Sequence, residues 1–241
     1  MFEVRRDADI HSADGGWYSA RWHFSFAGYR DPARVGLGPL RVFNDDRLSP
    51  GAVWPMHPHR DIEGVTYVVE GVFEHADSLG NGGVLEAGAV QRATLGSGME
   101  HSERNGSSSQ PMRFLQFWIL PDTADLPPSV EQRQFTVADR TDRLLKVLGP
   151  EGGEVVKVHQ DAGAYVARLA IGARVSHRVQ PHRGAYLYVI DGAARVNDEK
   201  ASTGDVVIST DEGSLDVTAV GTTELILIDV TLDWQPAGIW A

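Results

Sequence analysis

Gly64-Val65-Thr66-Tyr67-Val68-Val69-Glu70-Gly71-Val72-Phe73-Glu74-His75 is the stretch that decides the fold. An apolar, β-branched run meets a glycine and a second such run follows, which reads as two strands joined by a tight turn. The same grammar extends outward. Downstream, Asp77-Ser78-Leu79-Gly80-Asn81-Gly82-Gly83 is a strong turn, and Val84 to Val90 resumes strand character around Gly88. Upstream, Gly36 to Phe43 gives a turn and a short strand, and Asn44-Asp45-Asp46 reads as a solvated loop. The aromatic run Trp17 to Phe26 predicts an opening strand or two. Pro111 to Leu120 holds the longest apolar strand candidate of this half. Pro121 to Pro128, rich in proline and acid, reads as a linker. The expected class is all-β.

Beyond the linker the pattern returns. Pro58-His59-Arg60 recurs as Pro181-His182-Arg183, and Tyr67-Val68-Val69-Glu70-Gly71 as Tyr188-Val189-Ile190-Asp191-Gly192. Gly88-Ala89-Val90 recurs as Gly204-Asp205-Val206. Two related β units in tandem follow from this echo, assigned to residues 1–125 and 126–241. The final strand, Glu224 to Val230, parallels Phe114 to Leu120, and the tail Ile239-Trp240-Ala241 is expected to pack back onto the barrels.

His57-Pro58-His59 and His101-Ser102-Glu103 flank the deciding stretch. Side chains two apart on a strand share a face. His57 with His59, and His101 with Glu103, would therefore project together and converge inside a barrel. An isolated His-x-His is more often solvated than metal-bound. The second pair at the same spacing shifts the reading to a site for one divalent metal. Iron(II), manganese, nickel, cobalt, copper and zinc all suit these donors, which do not discriminate sharply among them. An octahedral ion held this way keeps two open positions, whereas a tetrahedral zinc would be closed and structural. Glu63 is assigned a supporting place near the ligands, and His23 a core place among aromatics. His75 is expected at the surface. The second half has only His182 aligned with His59, and His177 out of register, so it is read as a structural barrel with two surface histidines.

The net charge of −11 over 241 residues argues against a broad nucleic-acid or anionic-membrane surface. With no cysteine, disulfides and thiolate sites are excluded. Met1 to Asp9 carries charges but no apolar run, and no segment approaches the ~18 apolar residues of a membrane helix. A cytoplasmic location is expected. Gly96-Ser97-Gly98 is too short for a nucleotide-binding loop, and no Ser/His/Asp order suggests a hydrolase.

His57-Pro58-His59-Arg60, Thr66 to Gly71, His75 to Gly82 and His101-Ser102-Glu103 resemble the cupin superfamily, and within it the pirin family. Phe24-Ser25-Phe26-Ala27, Gly38 to Val42, Phe117-Trp118-Ile119 and the duplication are similar to pirins too. The resemblance implies a bicupin, with two face-to-face jelly-roll β-barrels and metal in the first alone. Carried over by position, His57, His59, His101 and Glu103 would be the ligands. The extra residues Ser97 to Glu100 before His101, and Glu103 rather than Glu63 as the carboxylate ligand, depart from the general cupin pattern and are pirin-like. It also implies a quercetin 2,3-dioxygenase activity, with O2 opening a flavonol or similar aromatic enol and carbon monoxide leaving. Glu103 would then be the catalytic base, and Phe43, Trp54 and Met56 would line the substrate pocket. The alternative is a redox-sensing regulator acting through protein partners. No interface signature is evident, so a monomer is expected.

Overall fold

The computed structural model describes residues 1–241. Apart from three short 3-10 turns the regular structure is strand throughout, as the sequence leads one to expect. No helix is long and apolar enough to cross a membrane. The strands form two barrels, each made of a seven-stranded and a four-stranded sheet.

In the first barrel the large sheet runs Ser129–Gln134, Ala89–Thr94, Glu63–Glu70, Met112–Ile119, Leu40–Leu48, Tyr18–Trp22, His11–Asp14. Its small sheet runs Val53–His59, Met99–Asn105, Val72–Asp77, Gly82–Glu86. The second barrel repeats the plan, with Arg183–Asp191 beside Thr223–Thr231 at the centre of its large sheet. The repeated turns show why the echo survives. Gly71 (φ +86°) and Gly192 (φ +89°) each place a backbone carbonyl, of Pro111 and Thr222 respectively, where a Cβ would sit. Only glycine meets both conditions.

Sheet membership does not follow a single cut at 125/126. Phe2–Arg5 pairs antiparallel with Val206–Ser209 in the second barrel, and Ser129–Gln134 pairs with Ala89–Thr94 in the first. Each barrel thus borrows an edge strand from the other half of the chain. This covers backbone that would otherwise stand unpaired.

The two large sheets face one another, and the largest core lies between them. It comprises 25 buried residues from both halves, among them Phe43, Val65, Tyr67, Phe117, Tyr186, Tyr188 and Ile228. Strand alternation sorts the side chains. Glu63, Val65 and Tyr67 point toward the other barrel, while Thr66 and Val68 point inward. On Leu40–Leu48, Phe43 and Asp45 point toward the other barrel, and Val42, Asn44 and Asp46 line the first barrel's interior. Asn44-Asp45-Asp46 is therefore mid-strand and buried, not a solvated loop. Asp45 is compensated across the interface. It accepts from Arg113 Nε (3.0 Å) and Nη2 (2.7 Å) and from the Tyr188 hydroxyl (2.5 Å).

The interiors differ. Fifteen buried apolar residues, including Leu169, Leu187, Leu215 and Leu227, fill the second barrel. The matching cluster in the first has seven, including Phe73, Met112 and Phe114. The remaining space of the first barrel is a pocket.

Candidate metal centre

His57 and His59 stand on Val53–His59, and His101 on the neighbouring Met99–Asn105 strand, directly across from His57. The two-residue spacing of the first pair and this register bring all three imidazoles to one point. One donor atom from each lies within 4.8 Å of the other two. Ring centroids are 4.6 Å apart for His57–His101, 4.8 Å for His57–His59 and 5.3 Å for His59–His101.

Three features make this trio suitable for a cation. His57 Nδ1 lies 2.7 Å from the Pro55 carbonyl, so Nδ1–H donates there and Nε2 keeps its lone pair. His101 Nε2 is buried without any hydrogen-bond partner. Such an orphan is costly unless something absent from the polypeptide satisfies it. Burial, followed by the neighbouring imidazoles, brings the pKa of His101 down to about 3, and burial with His57 brings His59 down to about 4. Both rings are neutral at pH 7, the protonation state that binds metal. The residues fit a divalent ion.

Glu103 lies outside the trio but lines the same pocket. The ladder slips between His101 and Glu103, so that Glu103 faces Trp54. Its Oε1 accepts from Gln116 Nε2 at 2.6 Å. Burial pushes its pKa up to about 8, against the opposing effect of that hydrogen bond. Asp46 shares the pocket, and burial, then Glu103 and Asp45, hold its carboxyl well above the usual range.

The pocket above the histidines has a volume of about 890 Å³. Its walls include Tyr18, Trp22, Phe26, Trp54, Trp118 and, from the C-terminal tail, Trp240. The Trp118 ring sits 4.7 Å from that of His59, and Trp54 lies 4.7 Å from Tyr18. These rings give the pocket a largely aromatic wall.

Several expected positions fall elsewhere. Trp54 and Met56 line the pocket; Phe43 does not, because its strand parity turns it into the inter-barrel core, where it packs on Tyr186 at 5.0 Å. Glu63 is likewise directed to the other barrel. It accepts from Thr94 Oγ1 (2.6 Å), His159 N (2.7 Å) and His159 Nδ1 (2.8 Å), and no hydrogen bond links it to the histidine trio. His75 is buried, not at the surface: Asp77 lies 3.3 Å from its Nε2, and its ring lies 5.8 Å from that of His101. His23 is a core histidine, bonded to the Tyr186 hydroxyl at 2.6 Å. In the second barrel His182 is exposed, whereas His177 is bound to Asp229 at 2.5 Å. Asn44 and Asp46, expected in a solvated loop, line the pocket, and so does Gln116. Gln116 had a signal, as the single polar residue in Phe114 to Leu120.

Comparison with known proteins agrees with this architecture. The Pirin family model matches residues 3–119, and that of the quercetinase C-terminal cupin domain matches residues 147–230. The chain is 38% identical over 232 residues to the Pseudomonas aeruginosa protein named "Putative quercetin 2,3-dioxygenase PA1210", covering 95% of this chain and 100% of that one. It is 36% identical over 231 residues to the quercetin 2,3-dioxygenase of Escherichia coli K12, covering 95% and 99%. The crystal structure of the bacterial pirin YhhW from Escherichia coli in complex with nickel(II) superposes with a TM-score of 0.90 at 35% identity, covering 96% of this chain and 99% of that one. The two barrels are cupin domains, and with near full-length similarity to these relatives the chain belongs to the pirin family.

Proposed function

We propose that this protein is a metal-dependent dioxygenase that opens a flavonol or a similar aromatic enol with O2. The observation that carries the proposal is the convergence of His57, His59 and His101, with the orphaned His101 Nε2, beside an aromatic-walled pocket that His57 and His59 line. His57, His59 and His101 would hold one divalent ion, iron(II) in our reading, with Glu103 as a fourth ligand. When bound, such an ion supplies Lewis-acid chemistry toward a chelating enol and redox chemistry toward O2.

The chain's own contribution is positioning and proton transfer. The aromatic walls orient a planar ligand and exclude water from it. Glu103, held by Gln116 in a buried setting, takes the enol hydroxyl proton onto a carboxylate oxygen. Both oxygen atoms of O2 enter the product, so no external reductant is required. The first barrel carries this chemistry, and the second supplies the sheet and the tail residue Trp240 that close the structure around it.

Oxygen uptake with quercetin tests the proposal. Iron-loaded protein should consume O2 in proportion to flavonol, and Glu103→Gln should lower the rate at least about 100-fold, a typical cost for a general base. Flavonol loss that continues unchanged without oxygen overturns it.

A further inference from the structure

The same pocket carries a feature that a neutral flavonol leaves unused. Arg41 and Arg30 both line it. Neither guanidinium has a carboxylate within ion-pairing distance, although the chain carries a net charge of −11. Arg30 donates only to its neighbour's carbonyl, that of Tyr29. Arg41 is half-buried and aimed by two contacts. Its Nη1 donates to the Ser25 carbonyl at 3.1 Å, and its guanidinium carbon lies 5.7 Å from the centre of the Trp240 ring. The remaining N–H groups of its fork are without a partner. Burial, and then the charge of Arg30, lower the pKa of Arg41, so the two cations share one field. Two like charges held together in a partly desolvated wall are unfavourable until an anion joins them.

Resting on the enol-binding reading above, we propose that the natural ligand is an anionic enol: a conjugated ring system bearing a carboxylate that Arg41 and Arg30 receive. The spacing supports this. Arg41 lies three residues along its strand from Asn44, whose cross-strand partner Gln116 holds Glu103. Arg41 is the bulged residue where the ladder with Met112–Ile119 slips, so at ~3.3 Å per residue the two backbone positions lie somewhat under about 10 Å apart, a span that a two-ring ligand can bridge. A carboxylate matches the planar Arg fork. It also brings one negative charge rather than two, which suits a pocket that already holds the Asp46 and Glu103 carboxyls.

The test is anaerobic binding to nickel(II)-loaded protein, which separates recognition from turnover. The probes are 3-hydroxyflavone and its 4′-carboxylate. Wild type should bind the carboxylate about tenfold more tightly, an advantage that shrinks as salt is raised. In the Arg30→Gln/Arg41→Gln double variant the advantage should fall below about twofold, and Arg41→Lys should retain part of it. Metal content and neutral-flavone affinity report whether the variants are folded. Equal affinity of wild type for both probes, or an advantage that survives in the double variant, overturns the inference. Tighter binding of the 4′-phosphate than of the carboxylate overturns the choice of anion. If neither flavone binds, it is the enol reading that fails. Quenching of tryptophan fluorescence by 4-phenylbenzoate then tests the arginines alone: binding lost in the double variant supports them, and binding unaffected by it overturns them.

Discussion

The side-chain amide of Gln116 donates to Oε1 of Glu103 at 2.6 Å, from a strand of the large sheet to one of the small sheet. The bond fixes one carboxylate oxygen and leaves the other to face the pocket. Removing such a supporting partner typically costs 10–100-fold in activity or metal affinity, about 1.4–2.7 kcal/mol. Gln116→Leu should therefore lower oxygen uptake by about that factor while histidine-bound metal is retained. Metal analysis alongside kcat separates the two effects.

Metal binding should release a proton. In the metal-free chain the Glu103 pKa of about 8 keeps most of this carboxyl protonated at pH 7, and coordination requires the carboxylate. Affinity should rise up to about tenfold per pH unit below pH 8 and level off above it. Calorimetry in buffers of different ionisation enthalpy should count about one proton per ion at pH 7 from this group. Glu103→Gln should remove it.

His23 sets an acid limit on stability. Burial, then Arg5 and Arg21, hold its pKa well below 6.5 in the folded protein. Unfolding lets the ring take a proton, so the unfolded state gains protons below pH 6.5 and stability falls as pH falls. The slope approaches 1.4 kcal/mol per pH unit for one group. His59 and His101 add to it with the same sign in the metal-free protein. Urea unfolding at pH 7.5 and 5.5 should show a drop in stability smaller by about 1.4 kcal/mol in His23→Asn than in wild type.

Glu63 should behave as a joint between barrels. Glu63→Ala leaves the Thr94 hydroxyl and the His159 N–H groups without their acceptor, at a cost of about 2–3 kcal/mol. The midpoint of thermal unfolding should fall, and metal stoichiometry should not. Loss of metal in this variant would restore Glu63 to the site.

Asp45 makes a sharper case. Asp45→Ala leaves the buried Arg113 guanidinium only Asp191 at 3.2 Å and the Ile190 carbonyl at 2.9 Å and should cost about 3 kcal/mol, whereas Tyr188→Phe removes one donor and should cost about 1–2 kcal/mol. Denaturant midpoints of the two variants distinguish these values.

How much of this was legible in the sequence follows from the range of each signal. His57 and His59 were readable because a two-residue spacing on one strand fixes their shared face. The slip between His101 and Glu103 was not, because a ladder irregularity depends on the partner strand. Phe43 and Glu63 were assigned to the right strands and the wrong face: parity distinguishes two faces but does not say which one meets the pocket. Asn44-Asp45-Asp46 has the composition of a turn, and only Arg113 and Tyr188, far away in the chain, make a buried strand of it. The borrowed edge strands are longer-range still.

That exchange of edge strands has a consequence for how the molecule comes apart. A protease cutting between Pro121 and Pro128 would sever the covalent chain yet release neither piece. Phe2–Arg5 would remain laced into the C-terminal fragment, and Ser129–Gln134 into the N-terminal one. The halves are clasped like linked fingers. Neither can be expressed alone without exposing a bare edge, so each half depends on the other for a finished sheet.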